Sequence, residues 1–166
     1  EPSIIKIQSL WRGYLVRKNM RPKPRKSAYF AGVQTNPQYK NVSGKRENRP
    51  AFKFKNGAIY TGHWIDDYRD GEGSQTWPDG ASYKGSWKNN KADGFGKFFH
   101  IDGDSYEGHW KGDKANGKGV YVHVNGAKYE GDWKDDLQDG YGIEVWADNS
   151  KYQGFYKAGK KHGFGV

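Results

Sequence analysis

The sequence predicts a mostly β protein: a run of antiparallel β-hairpins behind one N-terminal α-helix and an irregular linker. Two observations predict the hairpins. Tyr60-Thr61-Gly62-His63-Trp64 returns every 23 residues, its leading aromatic as Tyr60, Tyr83, Tyr106, Tyr129 and Tyr152 and its glycine as Gly62, Gly85, Gly108, Gly131 and Gly154. Each copy runs on into a G-x-G pair, at Gly71/Gly73, Gly94/Gly96, Gly117/Gly119, Gly140/Gly142 and Gly163/Gly165, and the first four close on Asp79-Gly80, Asp102-Gly103, Asn125-Gly126 and Asp148-Asn149. A fixed period of this length marks a repeat array. Glycine costs a helix about 1 kcal/mol per position relative to Ala, so residues 58–166 are expected to be almost entirely β, with five hairpins and no helix longer than a turn.

One unit can be read from its alternation. Y-x-G-x-W puts Tyr, Gly and Trp on one face of a strand, and the stretch after G-x-G is a second short strand. Asp-Gly and Asn-Gly are hairpin signals because a type I′ turn needs positive φ at both central residues. Asn149 replaces Gly in the fourth copy, and Asn tolerates the left-handed region next best, so that turn is expected to survive. Glycine inside a strand usually marks close approach by another group. The expectation is an aromatic from the neighbouring hairpin lying over it.

This pattern resembles the MORN repeat, over about residues 58–166 with four full copies and one cut short. The resemblance implies hairpins laid side by side in one elongated, single-layer antiparallel sheet that curls into a groove, and it implies no enzyme. Family members use such arrays as scaffolds for protein partners or dimerisation. Some adjoin catalytic domains, and an older proposal gives the repeats phospholipid binding.

Composition agrees with a thin sheet. Hydrophobic residues make up only 34% of the chain while aromatics reach 16%, which disfavours a thick aliphatic core. The chain has no cysteine, hence no disulfide framework, and it has no long apolar run to act as signal peptide or membrane span. It therefore reads as intracellular, and the Asn41-Val42-Ser43 sequon as chance. The net charge of +9 is unevenly shared. Residues 1–57 hold 14 Lys/Arg against 2 Asp/Glu, whereas residues 58–166 hold 14 against 17. Nucleic-acid binding by the repeats is disfavoured on that ground. Beginning at Glu1 and ending at Val166 inside a repeat, the chain is expected to be an excerpt of something longer.

In the leader, Ser3 can cap a helix over residues 1–20 that ends at Arg21-Pro22-Lys23-Pro24. Ile4, Ile7, Trp11, Tyr14 and Leu15 fall on one helical stripe. Ile7-Gln8-Ser9-Leu10-Trp11-Arg12-Gly13-Tyr14-Leu15-Val16-Arg17 resembles the IQ motif at every fixed position. That resemblance implies a helix gripped by calmodulin or a calmodulin-like EF-hand protein. Ile7 and Gln8 would engage one lobe, Trp11 would anchor, Gly13 would allow close approach, and Arg12 and Arg17 would meet acidic residues. The alternative is a helix that caps the open first edge of the sheet. Residues 21–57 read as a basic linker, with a degenerate first hairpin beginning near Phe52. The cationic run of residues 21–26 is either solvated or in contact with an acidic surface such as a microtubule, an anionic membrane or nucleic acid. Tyr29-Phe30 and Phe52-Lys53-Phe54 are apolar enough to dock on the array.

Catalytic and metal chemistry find little support, and no cofactor is expected. Equivalent positions in adjacent hairpins lie roughly 10 Å apart, so neither His63 with His109 nor His100 with His123 can share a metal. Asp70, Asp93, Asp139, Asp79 and Asp102 precede glycines and read as turn formers. One column stands out: Trp77, His100, His123 and Trp146 each follow the second glycine of G-x-G by four residues. Parity places them beside those glycines, along a trough that is either core or a groove for an extended or helical peptide. The function expected is a non-enzymatic interaction scaffold that recruits calmodulin or a similar EF-hand protein and other subunits. Its expected site is the cytoplasm and cytoskeleton, in a cilium, flagellum or axoneme. A membrane tether acting through the basic leader, or an accessory region of a larger enzyme, are the alternatives.

Overall fold

The computed structural model describes Tyr29, Phe30 and residues 44–166. The helix expected over residues 1–20, with Ile7, Gln8, Trp11, Arg12, Gly13 and Arg17, lies outside the described residues. Eleven strands form one antiparallel sheet in sequence order: β1 (Glu47–Lys53), β2 (Ile59–Ile65), β3 (Tyr68–Thr76), β4 (Ser82–Lys88), β5 (Lys91–Phe99), β6 (Ser105–Lys111), β7 (Lys114–Val122), β8 (Lys128–Lys134), β9 (Leu137–Val145), β10 (Lys151–Lys157) and β11 (Lys160–Gly165). The five repeats are the hairpins β2–β3 through β10–β11, and β1 pairs on β2 from Glu47, upstream of Phe52. The mostly β architecture read from the repeats is the one observed, and no described residue between 58 and 166 is helical.

Strand register explains the glycines. Gly62 faces Gly73, Gly73 faces Gly85, and the pairing continues through Gly96, Gly108, Gly119, Gly131, Gly142 and Gly154 to Gly165. One row without side chains thus crosses ten strands. The ring that fills it comes from the same hairpin, not from the neighbouring one as the sequence suggested. A Cβ on Gly119 would sit 2.3 Å from the Tyr106 hydroxyl and 2.5 Å from its ring, and Gly96 and Gly73 meet Tyr83 and Tyr60 in the same way. The phenol lies flat across both glycines because its hydroxyl reaches the carbonyl three residues on: Tyr106 Oη donates to His109 O at 2.9 Å, as Tyr60 does to His63 O and Tyr83 to Ser86 O. That carbonyl belongs to the residue between Gly108 and Trp110, where the register slips in a bulge. The extra residues lie on β7, four steps from Gly119 to Ala115 against two from Gly108 to Trp110, so no β7 residue pairs with His109 and its carbonyl accepts the phenol instead.

The neighbouring hairpin contributes its tryptophan. Trp87, Trp110 and Trp133 donate their indole N–H to Gly73 O, Gly96 O and Gly119 O at 3.0–3.1 Å. Tyr60, Tyr83, Tyr106 and Tyr129 consequently each meet two rings edge to face: Tyr83 lies 5.1 Å from Trp87 of its own hairpin and 5.1 Å from Trp110 of the next. Such pairs contribute about 0.5–1.5 kcal/mol each beyond their burial, and here they form an unbroken zigzag along one face of the sheet.

The turns differ from the expected type. At Trp77-Pro78-Asp79-Gly80, Gly80 N bonds Trp77 O at 3.0 Å and only Gly80 has positive φ, +97°. This is a three-residue loop with one left-handed position, and Asn149 takes that position at φ +66°. Asp79 Oδ1 accepts Ala81 N at 3.0 Å to rigidify it. Two-residue turns with positive φ at both positions occur instead at Asn89-Asn90, Gly112-Asp113, Asp135-Asp136 and Ala158-Gly159, where the sequence carries no Asp-Gly. Asp70 and Asp139, expected as turn formers, accept the backbone N–H of Asn89 and Ala158 in the next hairpin's turn, at 3.2 and 3.1 Å. They stitch hairpin to hairpin.

Two outcomes follow from this packing. A Cβ on Gly108 would lie 2.4 Å from Gly119 Cα and 2.5 Å from Lys118 O, both backbone. Gly108→Val should therefore cost about 3 kcal/mol, the upper range for overpacking, in a denaturant melt. Gly126, with positive φ and no neighbour within 4 Å, should accept Asn within about 0.5 kcal/mol, since Asn tolerates the left-handed region. The second outcome concerns pH. Burial raises the phenol pKa of Tyr60, Tyr83, Tyr106, Tyr121, Tyr129 and Tyr156 above the ordinary value of 10.0. A raised folded pKa stabilises below the unfolded value, and that stability is lost as pH rises beyond it. Melting temperature should hold below about pH 10 and fall above it, with phenolate absorbance rising together with loss of the sheet.

Candidate protein-interaction site

The aromatic face is divided into boxes, one per repeat. Each has the repeat's Tyr and the aromatic that opens the preceding loop, and the first three add the next hairpin's Trp, replaced by Tyr156 in the fourth. In the first box the walls are Tyr60, Trp87 and Phe54, and the occupant is Arg69 from the array itself. Its guanidinium carbon lies 4.3 Å from the Trp87 ring centre and 5.3 Å from that of Phe54. The group donates to Asn90 Oδ1 at 2.7 Å and Asn90 O at 2.9 Å, and also to Gln75 Oε1. Burial pulls its pKa down to about 10, so the cation persists at neutral pH and rests on ring faces. In the last box Lys161 Nζ lies 4.6 Å from Trp146 and 4.5 Å from Tyr152, and burial lowers its pKa.

The positions equivalent to Arg69 in the second and third repeats are Ala92 and Ala115, both buried. Alanine leaves the second box without an occupant from the sheet, and a distant segment fills it. The Phe30 ring centre lies 5.2 Å from Trp77, 5.6 Å from Tyr83, 5.9 Å from Trp87 and 5.7 Å from Trp110. Tyr29 takes the adjoining socket, 5.3 Å from Trp77, 5.3 Å from Phe98 and 5.6 Å from His100. Polar contacts fix both ends: Tyr29 Oη donates to Asp79 Oδ2 at 2.6 Å, and Trp77 Nε1 donates to Tyr29 O at 3.0 Å. Burial, followed by the bond to Asp79, raises the Tyr29 phenol pKa. Both residues are helical and buried.

The column of Trp77, His100, His123 and Trp146 is thus not uniform. Trp77 and His100 are buried under the chain's own Tyr29 and Phe30. His123 is half-buried against Tyr121 at 4.6 Å, its Nδ1 3.4 Å from Asp104 Oδ2. Trp146 is half-buried beneath Lys161. The opposite face carries a shallow cleft of about 620 Å³ lined by Phe95, Glu107, His109, Val120, Tyr141 and Ile143. It is the second surface with exposed apolar groups, Phe95 and Tyr141 among them.

Five consecutive segments, residues 60–82, 83–105, 106–128, 129–151 and 152–166, match the family model of the MORN repeat. The chain belongs to the MORN-repeat family. Residues 1–21 match the IQ calmodulin-binding motif. No curated protein matches the chain. Both matched motifs are binding motifs, and together they make the chain a protein-interaction module. In this MORN array the repeat phase begins at the Tyr that lies over the glycines, so the family pattern and the packing unit coincide. The seat for Tyr29-Phe30 was only partly announced by sequence: the pair is conspicuous, but its destination depends on the change from Arg69 to Ala92.

Arg69→Ala removes a cation from three ring faces together with its hydrogen bonds to Gln75 Oε1, Asn90 Oδ1 and Asn90 O in a buried site. It should destabilise the array by about 3 kcal/mol, read as a lower denaturation midpoint. The exposed Lys97→Ala at its 3.1 Å pair with Glu107 should change it by less than about 1 kcal/mol.

Proposed function

We propose that this MORN-repeat protein is a non-enzymatic scaffold of a cytoskeletal assembly, ciliary or axonemal, in which the leader recruits calmodulin or a calmodulin-like EF-hand protein and the array holds other protein subunits. The observation that carries the reading is the complete IQ spacing from Ile7 to Arg17, matched by the motif model over residues 1–21, on a chain whose leader is anchored to the array at Tyr29-Phe30. Seven residues separate Arg21 from Tyr29. Even fully extended, a span of this length reaches less than about 30 Å. An EF-hand protein gripping the IQ segment is therefore held beside the aromatic face while the anchor is docked. The cationic run of residues 21–26 lies within that span and suits an acidic surface, such as a microtubule.

Titration of the intact chain with calmodulin, with and without calcium, tests the recruitment. Binding in at least one condition is expected, with Trp11→Ala weakening it about 30-fold, a loss of roughly 2 kcal/mol typical of a buried aromatic anchor. Arg17→Ala should have a smaller effect that fades with added salt. Absence of binding in both conditions at micromolar protein would contradict the recruitment and leave the leader helix as a cap on the edge of β1.

A further inference from the structure

The second box differs from its neighbours in how it is filled. Arg69 and Lys161 reach their boxes from the strands that form them, whereas Phe30 arrives from outside the sheet, its neighbour Tyr29 lying 48 residues from the Trp77 that bonds it. The ladder of β1 to β11 is complete without it: every backbone pairing between adjacent strands is made among residues 47–165. Tyr29 and Phe30 are therefore a ligand of the sheet and not a part of it.

We propose that the seat formed by Trp77, Tyr83, Trp87, Phe98 and Trp110 is an exchangeable binding site for a Tyr-Phe pair carried on a helical turn. This chain's Tyr29-Phe30 is its resident ligand, and the same pair on a separate polypeptide is its ligand in trans. Adjacent side chains on a helix point about 100° apart, so one turn fills two adjoining sockets. The sockets are distinct. Phe30 enters a box of five aromatic rings, whereas Tyr29 donates its hydroxyl to the Asp79 carboxylate and supplies its carbonyl to Trp77. The order Tyr then Phe, the hydroxyl and the main-chain carbonyl are all read by the seat.

Two buried rings with two hydrogen bonds give a free peptide an affinity on the order of 10⁻⁶ to 10⁻⁴ M. A short tether supplies an effective concentration on the order of millimolar. The resident pair consequently holds the seat in cis, and a competitor in trans gains access when that pair is removed or drawn away.

The internal repeat provides the control. By the 23-residue shift, an Arg at position 92 would lie over Tyr83, Trp110 and Trp77 as Arg69 lies over Tyr60, Trp87 and Phe54. Asp113, whose Oδ1 accepts Ala92 N at 2.7 Å, would stand where Asn90 stands for Arg69. Ala92→Arg thus closes the box from within while giving the new cation a partner.

The test uses the full chain and a fluorescent peptide of residues 23–35, followed by anisotropy at about 0.3 M salt, where exposed charges are largely screened. Tyr29→Ala/Phe30→Ala should bind the peptide at least tenfold more tightly than the unaltered chain does. Binding should drop at least tenfold when the peptide's own Tyr and Phe are Ala, and again when Ala92→Arg is added to the protein. Equal binding by altered and unaltered chains, by aromatic and alanine peptides, or with and without Ala92→Arg would overturn the proposal. If the double variant loses its cooperative melt, Phe30→Ala alone is compared with the unaltered chain by the same criteria.

Discussion

Everything in this sheet depends on the row of glycines that lets a tyrosine ring lie against bare backbone. A sheet ordinarily buries a face against a second layer; here each hairpin covers its own backbone with Tyr and covers its neighbour's with Trp. The ring must sit where a Cβ would be, which is why two glycines face each other in every pairing along the row. The phenol hydroxyl then meets the carbonyl of the residue opposite the bulge, and strand alternation brings the Trp two residues after the glycine to the same face. Glycine, bulge, hydroxyl and indole are one unit. None of them can be altered without exposing another.

Because the unit closes mainly on itself and its next neighbour, stability of such an array is close to a sum of repeat and interface terms. Variation is then tolerated wherever the unit is left intact. The residue equivalent to Arg69 is such a position, taking Arg, Ala, Ala, Gln138 and Lys161 in the five copies. Where it is long and cationic the box is filled from inside, and at Ala92 the box is filled by Phe30. The docked leader exploits that difference. A repeat protein can in this way acquire a binding site by one substitution in one copy, with the remainder of the sheet unchanged.

Much of the fold was legible because the period carried it. Five aromatics and five G-x-G pairs at one spacing fix strands, hairpins and the shared face. What escaped was set by geometry that alternation does not encode. Tyr106 and a ring from the next hairpin are both compatible with period two, and only the hydroxyl's reach to His109 O decides between them. Asp-Gly suggested a two-residue turn, but Asp79-Gly80 sits in a loop of three, while the two-residue turns use Asn89-Asn90 and Asp135-Asp136, whose left-handed conformations are secured by contacts across hairpins. The column of Trp77, His100, His123 and Trp146 was visible as a ladder, yet its filling at Trp77 and His100 depends on residues far earlier in the chain. Long-range docking leaves no periodic trace.

The central claim, that tyrosine rings lie on the glycine row and so make a one-sheet fold self-covering, is tested most directly by proton NMR of the glycine α protons. A proton held against a ring face is shielded by the ring current. One α proton each of Gly73, Gly96, Gly119 and Gly142 should resonate far upfield of its random-coil position, whereas those of the loop glycines Gly80 and Gly126, with no side chain or backbone within 4 Å of their Cβ sites, should not. Ordinary shifts for all six would mean that the rings lie elsewhere, and the account of how this sheet holds together would be wrong.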